Sequence, residues 1–356
     1  MPRAAAPALL VYQVKWWNRR SVALMAGGPT RFTDRTDALM RAATAGKPVA
    51  VWASREPEGL AALACKAGGA LMRIEDGFIR SPGLGALFAP AYSLIFDRRG
   101  IYYDATQPNE LEDMLAAEAF DAPTLARAAA LSARLTALAV SKYAVGRGAA
   151  PSSPQGRTRV LVVGQVESDA SIRLGGGDTV NDNLTLLEHA RAQHPAAWIA
   201  YKPHPDVLHA GRPGAVPAAA AMQFADAIWT DTPIASALDW AEALHTISSL
   251  TGFEALLRGV AVFVHGRPFY AGWGLTTDLT AQPDRRGRSL DLDTLVAATL
   301  LRYPRYLDPM TGQRIEAEGL LDRLESGWTD PLAGRPLWHR AAAAAKRRLG
   351  PLRGRR

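Results

Sequence analysis

The sequence is poor in cysteine, in long apolar runs and in clustered metal ligands. Cys65 is its single cysteine in 356 residues. One thiol excludes an internal disulfide framework and a cysteine-based zinc site, and fits a reducing compartment. It lies in "ACKAGG", near an expected helix end, and reads as a small core hydrophobe. No stretch approaches the ~18 uninterrupted apolar residues of a spanning helix, so an integral membrane protein is not expected. The first apolar run, Ala8–Tyr12, soon meets Lys15; it is too short for a signal or a span and reads as a strand. No His, Asp or Glu cluster has metal-ligand spacing, so no metal is implied. Acidic residues are missing from the C-terminal segment 341–356, which holds Lys346, Arg347, Arg348, Arg353, Arg355 and Arg356, six charges against a net +7 for the chain. The basicity is therefore a property of the tail. Such a tail suits an anionic membrane surface or is a solvated end; no base-stacking or groove-reading pattern accompanies it, so nucleic acid is not an expected partner.

The composition is otherwise that of a folded protein, 48% hydrophobic and 21% charged. Short apolar runs ("ALLVY", "PVAVWAS", "ALMRIE", "SLIFD") alternate with helical patterns. A long helical stretch ends in the Gly-, Pro- and Ser-rich segment Arg147–Arg159. Strand–helix alternation resumes at "VLVVGQ". The pattern predicts α/β architecture in two Rossmann-like domains, residues 1–150 and 151–330, followed by a basic tail at 331–356. Ligands of such folds sit beyond the carboxyl ends of strands, so the cleft between the domains is the expected site.

Candidate residues follow the predicted strands. In "RIEDGFIRSPGLG", Glu75 and Asp76 end a strand and project to opposite sides; either could be a general base, or pair with Arg73 or Arg80. In "VLVVGQVESDASIRLGGGDT", a glycine triplet follows a strand as in a phosphate cradle, but Glu167 and Asp169 stand before it, and a carboxylate repels phosphate. Gln165, Glu167 and Asp169 alternate along one side of an extended segment; Asp169 either reaches a cleft or caps the next helix. In "YKPHPDV", prolines bracket His204 just after Lys202, a pairing of cation and imidazole suited to an anionic ligand. In "TISSLTGFEALLRG", Ser248, Ser249 and Gly252 open a helix that would hold a phosphate, with Glu254 one turn on for ribose hydroxyls; ordinary capping is the alternative. In "GRPFYAGWGLTTD", Tyr270 and Trp273 among glycines suit a sugar ring or a base, or a stapled loop.

Together these segments resemble the capsule polysaccharide biosynthesis proteins of the KpsC/LipB kind, which are glycosyltransferases for β-Kdo (3-deoxy-D-manno-oct-2-ulosonic acid). "EDGFIRSPGLG", "SLIFDRRGIYYDAT", "QVESDASIRLGG", "KPHPDV", "SLTGFEALLRG", "PFYAGWGLT" and "LLRYPRYLDPMTGQ" echo the family in order, from about Lys15 to about Gly327. The EDG, HP and SS elements are also similar to motifs of bacterial sialyltransferases. The resemblance implies a GT-B fold, CMP-Kdo as donor and a lipid-linked β-Kdo acceptor. It also implies retention through a carboxylate nucleophile. Asp169 matches the family's nucleophile position, with Glu167 its local rival. Lys202 and His204 would hold the CMP phosphate or the sugar carboxylate, while Gln165, Ser248, Ser249, Gly252 and Glu254 would complete the donor site. Glu75 or Asp76 would deprotonate the acceptor, and Arg80, Tyr270 and Trp273 would bind sugar. The glycine triplet would let the bulky sugar approach the backbone. CMP leaves readily, so no cofactor or metal is implied. The resemblance places the protein in the cytoplasm, peripheral at the inner face of the inner membrane, beside capsule assembly proteins. Capsule enzymes of this kind usually carry two modules, and this chain has room for one. A UDP-sugar transferase or epimerase, and a non-catalytic glycolipid-binding component, are the alternatives.

Overall fold

The computed structural model describes residues 8–79, 90–140, 148 and 155–326. Two sheets organise them. The first takes β1 (Leu9–Tyr12), β2 (Thr30–Thr33), β3 (Val49–Trp52), β4 (Leu71–Asp76) and β5 (Ser93–Asp97). The second takes β6 (Arg159–Val163), β7 (Trp198–Lys202), β8 (Ala227–Ile228), β9 (Ala243–Thr246), β10 (Ala261–Val264) and β11 (Thr277–Asp278). The chain then returns to the first sheet with β12 (Pro304–Leu307) and β13 (Arg314–Ile315).

The central strands are apolar on both faces, as a sheet covered on both sides requires. Every residue of β5 and of β7 is buried. The second sheet is parallel throughout, in the order β11-β10-β9-β6-β7-β8. Connections leave β6 first to one side and later to the other. The crevice between the carboxyl ends of β6 and β9 is therefore the switch point, where open α/β sheets bind ligands. In the first sheet, β1 to β4 are parallel, and β5 runs antiparallel to β4 and to β12.

Sequence periodicity locates β1, β3, β4, β5, β6, β7 and β10. Short β2 and β8 escaped it, as did the return of the chain. That return corrects the expected span 151–330. Pro304 pairs with Ile95 and Tyr306 with Ser93, so this C-terminal stretch completes the first sheet. The Tyr303 hydroxyl reinforces the return by donating to the buried Asp97 carboxylate at 2.6 Å. The tail at 331–356 and most of the Arg147–Arg159 segment lie outside the described residues. Cys65 is exposed on its helix, not in the core as expected.

The two sheets share one seam. Phe78 and Tyr102 from the first half pack on Phe269 from the second, with ring centroids 4.9 and 5.7 Å away, and Phe253 closes the cluster at 5.5 Å from Phe269. Glu112, 2% exposed, accepts from Arg285 Nε at 2.6 Å and Arg286 Nε at 2.8 Å. Arg286 Nη1 also donates to the carbonyls of Pro268 (2.6 Å) and Ala271 (3.1 Å). A charge triad, with Glu112 and Arg286 buried and Arg285 half-buried, thus ties the first half to the loop after β10.

Candidate active site

The carboxyl end of β6 leads into the segment Gly164–Asp169. Gln165, 6% exposed, does not offer its side chain to the cleft. Its Oε1 accepts the Ser248 backbone N–H at 2.8 Å, and its Nε2 donates to the Ser248 hydroxyl at 3.2 Å. That hydroxyl in turn donates to the Ser171 carbonyl at 3.0 Å. Gln165 and Ser248 therefore clamp the switch-point crevice by joining the loops after β6 and β9. Ser249 caps the helix Leu250–Leu256, accepting from Thr251 N–H at 3.2 Å, the ordinary alternative recognised in the sequence. Glu254 faces the seam, lining a crevice with Phe78, Ile79 and Leu300.

The two carboxylates before the glycine triplet part ways. Glu167 Oε1 accepts the Asn183 backbone N–H at 3.0 Å, which braces the loop. Asn183 is almost fully buried and holds Gln165 from the other side: its Oδ1 accepts Gln165 N–H, and its Nδ2 donates to the Gln165 and Gly214 carbonyls. Asp169 occupies the cap position of the helix Ala170–Gly175, but its side chain makes no capping hydrogen bond. Instead Oδ1 pairs with Arg212 Nη2 at 2.6 Å, both side chains remaining about 40% exposed. Among the described residues nothing donates to Oδ2. Asp169 is thus fixed through one oxygen and open at the other.

His204, just past β7, feels the charges of both members of this pair, and Lys202 ends β7 two residues earlier with Asp231 as the charge acting on it. The His204 Nδ1 accepts the Asp206 N–H at 3.0 Å, so the neutral ring carries its proton on Nε2. Burial pushes the imidazole below its ordinary value, against the opposing pull of Asp206 and Asp169, so the neutral form is favoured. Lys202 is 7% exposed, and burial lowers its ammonium as well. Among the described residues no hydrogen bond or ion pair engages that ammonium. A buried cation left unpaired is costly, and an anion arriving beside it removes the cost.

Glu75 and Asp76 end β4 on the first-half side. Glu75 Oε1 accepts the Asp76 N–H at 3.0 Å, while Tyr103 O–H approaches Oε2 at 3.4 Å. Arg73, a sequence candidate for pairing with them, forks onto Glu56 at 2.6 and 2.9 Å. Tyr103 links this corner to the other half, because Ala105 N–H donates to the Leu174 carbonyl at 3.1 Å two residues further on. Arg80 lies outside the described residues.

One expectation needs correction. Tyr270 and Trp273 are both 0% exposed, so neither ring face meets a sugar. The Tyr270 hydroxyl donates to the Ser249 carbonyl at 2.5 Å, and Trp273 Nε1 to the Phe269 carbonyl at 2.8 Å. They form the stapled loop, the alternative weighed from the sequence. Gly252 serves that staple: a Cβ there would lie 2.1 Å from the Tyr270 hydroxyl, while its own N–H donates to the Ser249 carbonyl at 3.0 Å. The glycine triplet is closely packed, since a Cβ on Gly177 would lie 1.9 Å from the His265 carbonyl oxygen, and Gly176 and Gly177 also line an open polar cleft.

Sequence reasoning passed over Arg212, Asn183 and Arg173. Arg212 carried a usable signal, an arginine held between glycines in "AGRPG" after the KPHP segment. Among the described residues no group of side chains converges as metal ligands would, and no helix is long and apolar enough to cross a membrane.

Residues 47–144 and 123–306 match the family described as capsule polysaccharide biosynthesis protein. The chain belongs to this family. It is 46% identical over 248 residues to the capsule polysaccharide modification protein LipA of Neisseria meningitidis serogroup B. That match takes in 70% of this chain and 35% of the relative, so the chain spans about a third of the relative's length. Two solved structures from Thermosulfurimonas dismutans KpsC align over 90% of this chain. The β-Kdo 2,7 transferase is matched over 99% of its length at TM-score 0.74 and 32% identity. The β-Kdo 2,4 transferase is matched over 98% at TM-score 0.77 and 29% identity.

Proposed function

We propose that this chain is a capsule-related Kdo glycosyltransferase that moves Kdo from CMP-Kdo to a lipid-linked β-Kdo acceptor with retention of configuration. The observation that carries the mechanism is Asp169, fixed by Arg212 through Oδ1 and open at Oδ2. Both KpsC neighbours are named as β-Kdo transferases, which supports the sugar and the bond formed. Two α/β halves meeting at a seam suit a GT-B arrangement, with the donor bound mainly by the second half.

In the first step Asp169 Oδ2 attacks C2 of the donor sugar. The bond from C2 to the phosphate oxygen breaks, and CMP leaves with its electron pair. The neutral His204 donates from Nε2 to the departing phosphate or to the sugar carboxylate, and the buried Lys202 ammonium gains its counter-charge there. Arg212 holds the nucleophile's orientation. In the second step the acceptor hydroxyl oxygen attacks C2 from the opposite side, the C2–Oδ2 bond breaks, and Glu75 or Asp76 takes the hydroxyl proton. Two inversions leave the β configuration unchanged. No metal or cofactor enters this scheme, because CMP already carries its charge away. We place the enzyme at the cytoplasmic face of the inner membrane, where its lipid-linked acceptor and the capsule assembly machinery are met, with the 331–356 tail on anionic lipid.

Purified protein incubated with CMP-Kdo and a synthetic β-Kdo-terminated lipid should add Kdo, seen as a mass increment, and the product's NMR spectrum should report a β linkage. Asp169→Ala should abolish addition. Unimpaired transfer by Asp169→Ala would remove the nucleophile, and a new α linkage would remove the double displacement.

A further inference from the structure

One helical turn beyond Asp169 lies a polar cleft of ≈ 460 Å³, lined by Thr106 from the first half and by Glu167, Arg173, Gly176, Gly177, Asn181 and Arg267 from the second. Its walls carry few apolar side chains, which suits a saccharide better than a lipid chain. The charges in it are unequally engaged. Arg267 forks onto Asp178 at 2.6 and 2.7 Å and donates to the Gly176 carbonyl at 2.8 Å. Glu167 gives Oε1 to the Asn183 N–H. Arg173 is exposed, and among the described residues no hydrogen bond or ion pair engages its guanidinium. Its backbone N–H bonds to the Asp169 carbonyl at 3.1 Å, so it stands one helical turn beyond the open carboxylate, on the same face.

We propose that Arg173 determines acceptor specificity by binding the carboxylate of the acceptor's terminal sugar acid, while Glu167 accepts its ring hydroxyls. This deepens the transferase reading and rests on it. A guanidinium offers paired N–H donors that match a carboxylate in geometry and charge, and it fixes the orientation of the ring carrying it. With Thr106 from the first half on its wall, the cleft opens between the halves, where an acceptor would meet the donor, one helical turn from Asp169. The donor's nucleotide has its own candidate groups at the ends of β7 and β9.

The test is steady-state kinetics of wild type, Arg173→Ala and Arg173→Lys with CMP-Kdo and two acceptors, the free acid and its methyl ester. Arg173→Ala should raise KM for the free-acid acceptor by about tenfold or more, with kcat and the donor KM changed by less than about twofold. Wild type and Arg173→Ala should handle the ester alike, because the ester has no charge to lose. Arg173→Lys should recover part of the loss for the acid. An unchanged acceptor KM, or an equal rise for acid and ester, overturns the proposal. A rise confined to the donor KM also overturns it, by assigning the carboxylate to the donor sugar. The exposed position keeps the fold intact, and matching unfolding curves verify this. Wild type silent with both acceptors would instead overturn the transferase reading, and with it this one.

Discussion

Replacing Glu112 with Ala should unfold the seam before it touches the chemistry. Glu112 is 2% exposed and takes Arg285 Nε at 2.6 Å, Arg286 Nε at 2.8 Å and Arg285 Nη2 at 3.3 Å. The Arg286 side chain is completely buried, and burial already lowers its affinity for the proton. Without the carboxylate, its charge would be hydrogen-bonded only to carbonyl and amide oxygens, chiefly Pro268 and Ala271, with the Asp278 carboxylate a more distant counter-charge. Breaking a buried pair in this way costs about 3–5 kcal/mol, most of it the stranded charge. The half-buried partner, Arg285, keeps its bonds to the Ala105 and Gln107 carbonyls and can reach water, so it adds less. Glu112→Gln keeps the shape and one acceptor and should lose roughly half as much. The double replacement Glu112→Met with Arg286→Met removes both buried charges and should recover most of the loss. Urea denaturation of the full chain measures the unfolding free energies. A loss below about 1 kcal/mol for Glu112→Ala, or a double variant weaker than the single, would refute the reasoning.

Other outcomes follow from single contacts. Gly252→Ala should destabilise by about 1–3 kcal/mol because its Cβ meets the Tyr270 hydroxyl at 2.1 Å, and Tyr270→Phe in the same chain should relieve only part of the clash, since ring carbons Cζ and Cε2 remain at 2.6 and 2.9 Å; thermal unfolding of both checks it. Lys202→Met should stabilise the fold by about 1 kcal/mol or more yet lose protection by CMP in a thermal-shift titration, since the buried ammonium lacks a described partner; undiminished CMP protection would contradict the assignment. His245 and His265 touch at 3.0 Å, Nδ1 to Nε2, and burial pushes them down to about 2 and about 4 respectively. The unfolded chain takes up protons near pH 6.5 that the native pair refuses, so stability should hold above that pH and fall below it, by up to roughly 1.4 kcal/mol per pH unit for each histidine. A urea midpoint unchanged between pH 7 and pH 5 would refute this.

The sequence by itself determined the class of fold and the neighbourhood of the site. Alternating apolar strands and amphipathic helices can bury their faces only as covered parallel sheets, and residues just after such strands must gather at one edge. That Asp169, Lys202 and His204 stand at the carboxyl edge of the second sheet was legible on that ground. The roles of individual side chains were not, because a polar group near a strand end has several partners within reach, and only tertiary structure chooses among them. Asp169 and Glu167 look alike in an extended segment, yet Asn183 from the next helix takes Glu167 and Arg212 takes one oxygen of Asp169. Tyr270 and Trp273 look like sugar platforms until the loop folds inward and Gly252 opens room for the tyrosine ring. The return of residues 304–315 to the first sheet depends on β-strand pairing and on the Tyr303–Asp97 contact, both between residues about two hundred positions apart, a separation that no local pattern encodes.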